Sequence, residues 1–402
     1  MTTIDTTAPA TEEDIVDAAV EKLLANFPPA STDVVGFLGA QFDAGLGWVH
    51  FDEGFGGLGL QPKLQNRVNE QLGAAGAPHP YMRNPIGYGM GAPTVYTHGS
   101  EDQKKRYLRP LFTGEEVWCQ LFSEPGAGSD VAGLATKAMR DGDEWIINGQ
   151  KVWTTLAHVS RWGMIVARSD PNQPKHKGLT YFVVDMHAPG VEVKPLRQMT
   201  GEAEFNEVYF TDVRIPDAER LGGIGEGWGV SLTTLMNERV SIGGTVAPRG
   251  SGAISEAVRL YKKYAAANGQ DPVRREHLMD LWSRAEALRL TNVRASSTRK
   301  RGNPGPEGSI GKMASANLNK DIYEFCIEMM GLEGQLYGSY EMRRSEYVGG
   351  GDTRKAFLRS RANSIEGGTT EVMKNILGER VLGLPGDVRV DKDRSWLEVP
   401  RN

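Results

Sequence analysis

Residues Trp118 to Thr155 read WCQLFSEPGAGSDVAGLATKAMRDGDEWIINGQKVWTT, and this stretch decides the fold. An apolar run ends at Leu121 and Phe122, and the chain then turns through Ser123-Glu124-Pro125-Gly126-Ala127-Gly128-Ser129-Asp130. Pro125 fixes one backbone angle, while Gly126 and Gly128 permit positive φ or close approach, so the backbone can lie against a ligand. Ser123 and Ser129 place hydroxyls on either side of the turn. From Glu144 to Thr155 the pattern predicts a strand, a turn at Asn148-Gly149, and a second strand. That second strand would set Val152 and Thr154 against Trp153 and Thr155, giving a flat π surface beside a hydroxyl on one pleat face. Such a surface suits a planar heteroaromatic cofactor; the plainer alternative is a surface hairpin with a core-filling Trp.

Working outward, SEPGAGSD followed by INGQKVWTT resembles the flavin-binding signature of the acyl-CoA dehydrogenases. The likeness extends to DEGFGGLGL at 52–60, HGSEDQKKRYLRPLFTGEE at 98–116 and FNEVYFTDVRIP at 205–216. It continues through GGTTEV at 367–372 and RVLGLP at 380–385, all in the family's order. The resemblance implies an α+β chain: an N-terminal helical domain over 1–116, a middle antiparallel β-barrel or sandwich over 117–228, and a C-terminal helical bundle over 229–402.

The element pattern agrees with that layout. Apolar positions Ile15, Val16, Ala19, Val20, Leu23 and Leu24 fall at helical spacing between Glu12 and Phe27, after a small polar stretch to Thr11 that reads as a disordered tail. Helical character returns at Gln65–Leu72 and Asp102–Leu111, with broken structure between Ala74 and His98. Short β-branched runs then recur between Val117 and Leu221, separated by Asp141-Gly142, Asn148-Gly149 and Pro189-Gly190. Helices follow at Val230–Ile242, Ile254–Ala267, His277–Lys300, Ile310–Met330 and Glu371–Leu382. Gly302–Gly308 reads as a loop, with Ser309 as an N-cap.

The 402 residues carry a formal net charge of -5, too balanced to argue for nucleic acid or a charged membrane surface. Two cysteines, Cys119 and Cys326, form no disulfide framework, and the N-terminus lacks a secretory pattern. No apolar run is long enough to span a bilayer, so the expected location is cytoplasmic. The seven histidines show no metal spacing.

The resemblance implies FAD-dependent α,β-dehydrogenation of an acyl-CoA thioester, with electrons passed to an electron-transferring flavoprotein. A carboxylate removes the α-proton, and donors polarise the thioester carbonyl. In one group of members the base is the Glu of Y-E-G-T near the C-terminus. Here Gly367 occupies that position and Glu366 that of the tyrosine. In isovaleryl-CoA and long-chain members the base lies in an E-R pair, which Glu238-Arg239 matches. Glu238 is therefore the expected base, with Arg239, Gly367, Gly368 and Ser129 toward the substrate. Gln120, Phe122 and Ser123 match residues along the flavin pyrimidine, and Ser129 a position shared with the acyl-pantetheine. Trp153 and Thr155 match residues over the ring, and Thr369 and Glu371 the adenosine-pyrophosphate end. Gly331 and Gly334 resemble the glycine loop that reaches a neighbouring subunit's FAD, which implies a homo-oligomer or a heteromer. Two departures bear on that half-site: the R-x-x-F-G motif is replaced by Ala267-Asn268-Gly269-Gln270-Asp271-Pro272, and Leu332 and Gln335 interrupt G-G-x-G-aromatic. A flavin oxidase or monooxygenase on the same fold, or an FAD-poor acyl-CoA-binding subunit, stays open at this point.

Overall fold

The computed structural model describes residues 11–243, 248–300, 307–339, 341–344, 352–386, 388–391 and 393–400, without the side chains of 239–243, 298–300 and 307. Five helices come first: α1 (Glu12–Asn26), α2 (Val34–Asp43), α3 (Gln65–Ala74), α4 (Ala92–His98) and α5 (Glu101–Thr113). Local chemistry sets their starts. Thr11 and Asp14 form a capping box at α1, Ser100 and Gln103 another at α5, and the Asp33 carboxylate accepts from the Gly36 amide at α2. The α2 helix departs from the sequence reading. VVGFLGAQFD is apolar nearly all round, so it lacks the one-sided stripe that marks a surface helix, and it buries Phe37, Leu38 and Phe42. Between Ala74 and His98 the chain is broken as expected, and a π-helical turn at Gly87–Gly91 leads straight into α4.

Eight strands follow: β1 (Trp118–Leu121), β2 (Lys137–Asp141), β3 (Glu144–Thr155), β4 (Trp162–Arg168), β5 (Leu179–Asp185), β6 (Val191–Pro195), β7 (Phe205–Pro216) and β8 (Arg220–Leu221). Their order is β6-β7-β3-β2-β4-β5-β8, with β1 joined to β4. The sheet folds so that β7 packs near β5, but its ladder does not close into a barrel. Nor is it wholly antiparallel, because β1 runs parallel to β4.

Alternate residues of β4 and β5 explain their unbroken apolar runs. Met164, Val166, Tyr181 and Val183 pack toward the N-terminal helices. Ile165, Ala167, Phe182 and Val184 pack toward Val208, Phe210, Val213 and Ile215 of β7. A strand buried on both faces has no polar side to alternate with.

The expected turn at Asn148-Gly149 is absent. β3 runs continuously through it, and the hairpin reverses at Gly142-Asp143, where Asp141 pairs with Glu144 and Gly142 has φ 62°. A type I′ turn needs two successive positive φ values, and Asn148 does not supply one. β7 instead occupies the far edge of β3, and Asn148-Gly149 becomes a bulge in that pairing.

The C-terminal part holds α6 (Gly227–Gly243), α7 (Ala253–Asn268), α8 (Pro272–Lys300), α9 (Glu307–Met330), α10 (Thr353–Ser360) and α11 (Thr370–Arg380). Helices α7, α8 and α9 share a core around Leu260, Leu281, Ile322 and Phe325. Ser309 is not an N-cap, because α9 already begins at Glu307. The loop expected over Gly302–Gly308 gives way to α9 at 307–308, and the tail expected over 1–11 ends before Thr11, which caps α1; 302–306 and 1–10 lie outside the described residues. The short α10 is a further element that the sequence reading lacks; Asp352 caps it through the Arg354 and Lys355 amides.

Candidate functional site

The Ser123–Asp130 turn is anchored from beneath by a buried ion pair. Lys151 of β3 is fully buried and its ammonium lies 2.8 Å from Glu124, itself 8% exposed. Lys151 also donates to the Phe122 carbonyl at 3.0 Å, and the Glu124 carboxylate accepts from the Ala135 and Thr136 amides at 2.7 and 3.0 Å. Burial alone would push the Glu124 carboxyl up, but Lys151 and these donors hold it below the usual range. The Val152 amide donates to the Ser123 carbonyl at 2.9 Å, tying the turn directly to β3.

On the same strand, Trp153 sits in a second bulge, with φ 60°, between the Lys151 and Thr154 pairings with β7. It therefore does not share a regular pleat with Thr155, as the alternation predicted. The bulge turns its ring outward: Trp153 is 57% exposed and meets Phe205 edge-on at 6.1 Å, while Thr155 is half-buried. Phe122 is buried against Tyr181, Gln120 and Ser123 are half-buried, and Ser129 is exposed. An accessible indole beside hydroxyl and amide groups offers a planar polar ring both a stacking surface and hydrogen bonds. These residues fit a flavin.

Glu238 lies in the last two turns of α6, whose course is fixed upstream. The Thr234 hydroxyl lies 2.9 Å from Thr94 and 3.0 Å from the Tyr181 hydroxyl, and His98 Nε2 lies 2.8 Å from the Thr233 hydroxyl. These contacts carry Glu238 to Gln120, whose Nε2 donates to Glu238 Oε2 at 3.5 Å. The expected base thus meets a residue expected along the flavin. The Arg239 side chain lies outside the described residues.

The rival carboxylate, Glu366, has a different set of partners. Glu366 accepts two bonds from Arg359, at 3.0 and 2.7 Å, and a third from the Asn363 amide at 2.9 Å. The Arg359 guanidinium lies over Phe205, 5.7 Å from its ring centre, so this loop is held to the middle domain beside Trp153. Lys312 of α9 donates to the Asn363 carbonyl at 2.6 Å. Burial pulls its ammonium down, while Glu366, Glu238 and Glu371 push it back up, which brings both carboxylates into one electrostatic neighbourhood. Lys312, Arg359 and the Glu124–Lys151 pair escape the sequence reading. The only signal was a lysine inside an apolar strand, with its partner 27 residues upstream.

Gly367 and Gly368 take positive φ, 62° and 91°, and lead into Thr369, which caps α11 through the Val372 amide at 3.1 Å. Glu371 is exposed in the first turn of that helix. Gly331 and Gly334 form a separate turn at the end of α9. Among the described residues, no hydrogen bond joins that turn to the Ser123–Ser129 or Trp153–Thr155 segments.

Three family models match in series: the N-terminal domain of acyl-CoA dehydrogenase at 12–115, the middle domain at 119–213 and the C-terminal domain at 225–382. The chain belongs to the acyl-CoA dehydrogenase family, whose members are FAD-dependent oxidoreductases. It is 36% identical over 348 residues to acyl-CoA dehydrogenase IpdE1 of Mycobacterium tuberculosis, covering 86% of each chain. It is 37% identical over 345 residues to acyl-CoA dehydrogenase FadE34 of the same organism, covering 85% of this chain but only 45% of FadE34. Among solved structures, the Tcur3481-Tcur3483 steroid ACAD superposes with TM-score 0.70 at 25% identity, covering 96% of this chain and all of that one. The ChsE4-ChsE5 complex from Mycobacterium tuberculosis gives TM-score 0.69 at 25% identity, with the same coverage. Among the described residues no helix is long and apolar enough to cross a membrane.

Proposed function

We propose that this acyl-CoA dehydrogenase oxidises a bulky, polycyclic CoA thioester to its trans-2-enoyl product, with Glu238 as the base. The single observation that carries the assignment of the base is the pair of carboxylate environments: Glu238 meets Gln120, whereas Glu366 is taken up by Arg359 and Asn363. Glu238 accepts the α-proton, and Gln120 orients its carboxylate. Ser129 contacts the acyl-pantetheine, with Arg239, Gly367 and Gly368 toward the acyl group. Gln120, Phe122, Ser123, Trp153 and Thr155 hold the flavin ring, and Thr369 and Glu371 receive its adenosine-pyrophosphate end at the start of α11. FAD, when bound, supplies a two-electron acceptor for the β-hydride. We further propose an electron-transferring flavoprotein as the next acceptor, a cytoplasmic location, and domain limits near 117 and 229.

The acyl preference rests on two supports. Glycine stands at 367, the position where Y-E-G-T members carry the base, leaving no side chain there. The 25% identical Tcur3481-Tcur3483 protein is described as a steroid ACAD. The test is anaerobic bleaching of the bound flavin by a panel of thioesters: straight-chain, branched and steroid-derived. Reduction by the polycyclic thioesters is expected. Reduction by straight-chain thioesters alone would overturn the substrate class.

A further inference from the structure

Residues 388–391 and 393–400 return from the C-terminal helices to the middle domain and bind two of its loops. Trp396 is 7% exposed, and its indole N–H donates to the Gly133 carbonyl at 3.1 Å. The Arg168 guanidinium stacks on its ring at 4.6 Å. Arg168 is itself buried, and donates to the carbonyls of Ala132 at 2.6 Å, Leu134 at 3.1 Å and Lys175 at 2.8 Å. The backbone amides of Trp396 and Leu397 donate to Gln173 and Pro171, at 2.9 and 3.3 Å. Lys175 stands between Asp130, at 2.9 Å, and Asp391, at 2.6 Å. The segment thus grips the 130–134 loop and the 170–177 loop together.

Both loops border the site. The first continues directly from Ser129. The second places His176 edge-on to Trp228, at 4.9 Å, in the opening turn of the helix that carries Glu238. Within the turn, Glu124 and Ala127 exchange two backbone hydrogen bonds at 3.0 Å and Ala127 is buried, so the stretch left exposed is Gly128-Ser129-Asp130, where a Cβ at Gly128 would meet no atom within 4 Å. The two ends of the turn are anchored separately. Glu124 fixes one through Lys151, and Asp130 fixes the other through Lys175 and the returning segment.

We propose that the 388–400 segment is a clasp for the thioester site, in which Trp396 and Asp391 are positioning residues that fix Ser129 and thereby set thioester affinity. The inference rests on the reading of Ser129 as a thioester contact. It assigns no chemistry to the segment.

The test uses the full-length, FAD-loaded protein and its Trp396→Ala, Trp396→Phe and Asp391→Asn variants. Hydrogen exchange reads the 130–134 amides directly, whose Gly133 and Leu134 N–H groups bond to Asp130 and Val131 carbonyls in the native loop. Trp396→Ala should accelerate that exchange about tenfold or more and raise KM for a reducing thioester about tenfold, with kcat held within about twofold. Trp396→Phe keeps an aromatic face for Arg168 while losing the indole N–H and part of the ring area, so it should restore most of the affinity. Unchanged exchange at 130–134 in Trp396→Ala would overturn the clasp. So would faster exchange with an unchanged KM, or a loss of kcat in step with folded protein that Trp396→Phe does not recover. If no thioester bleaches the flavin of the unsubstituted protein, the functional reading itself fails, visibly and before any variant is made, and the affinity role falls with it.

Discussion

At the scale of single residues, the two carboxylates are distinguished by their neighbours. Glu238→Gln keeps shape and contact with Gln120 but cannot take a proton. Anaerobic stopped-flow should show flavin reduction slowed by about two to four powers of ten, with FAD content unchanged. Glu366→Gln weakens the pair with Arg359 and should leave most of that rate. The opposite pattern would move the base to the C-terminal loop. Trp153→Ala removes the exposed stacking surface and should lower the FAD retained through purification, read from the ratio of flavin to protein absorbance. Lys151→Met strands the Glu124 carboxylate in the interior and should cost about 3–5 kcal/mol in denaturant unfolding. The sequence offered Glu238, Gln120 and Ser123 as candidates through the family resemblance, and the structure brings Glu238 and Gln120 together. Lys151 was not legible as an anchor, because its role comes from a carboxylate across a turn. Lys312 was hidden for the same reason, as its partners lie on α6, α11 and the loop before α11.

Among elements, helices with a one-sided apolar stripe were readable and those without it were not, as the buried α2 shows. Strand positions were largely readable and their pairings were not. Asn148-Gly149 carries hairpin chemistry, but pairing along both edges of β3 overrides it. The glycine motif at 52–60 makes a tighter demand. A Cβ on Gly57 would lie 2.0 Å from the Phe51 carbonyl oxygen, so Gly57→Ala should destabilise by about 1–3 kcal/mol in thermal or denaturant unfolding. The returning C-terminal segment yields a pH signature. The Lys175 ammonium, with Arg389, holds Asp391 at about 2, against 3.8 for the free group. A depressed carboxyl stabilises the fold fully above its unfolded value and loses that contribution as pH falls through the folded one. The stability gap between the unsubstituted protein and Asp391→Asn should therefore be constant above about pH 4 and close toward pH 2. A gap that persists at pH 2 would separate Asp391 from the clasp.

For the whole molecule, apolar side chains remain uncovered on the C-terminal elements: Val273 at 75%, Leu290 at 52%, Leu332 at 82% and Leu336 at 67% exposed. Apolar side chains of this kind are the material of a subunit interface where they form one contiguous patch. With Gly331 and Gly334 in the same region, we expect a second subunit there, identical or different, bringing this turn to its neighbour's cofactor. Sedimentation of the purified protein should show an oligomer, and a monomer with full FAD and full activity would contradict it. Domain order was legible from motif sequence alone; the partner was not, because a solvent-facing leucine has the same signature in either assembly.

The ion pair beneath the Ser123–Asp130 turn has a consequence for loading. Its contacts, from Lys151 to Glu124 and from the Ala135 and Thr136 amides, are all made within the protein and use no atom of a bound ring. If the turn receives the flavin as proposed, it needs no contribution from the ring to hold its shape. Stripped of flavin, the chain should keep the fold of its middle domain and take FAD back in a fast, concentration-dependent step, with little of the heat-capacity change that accompanies folding on binding.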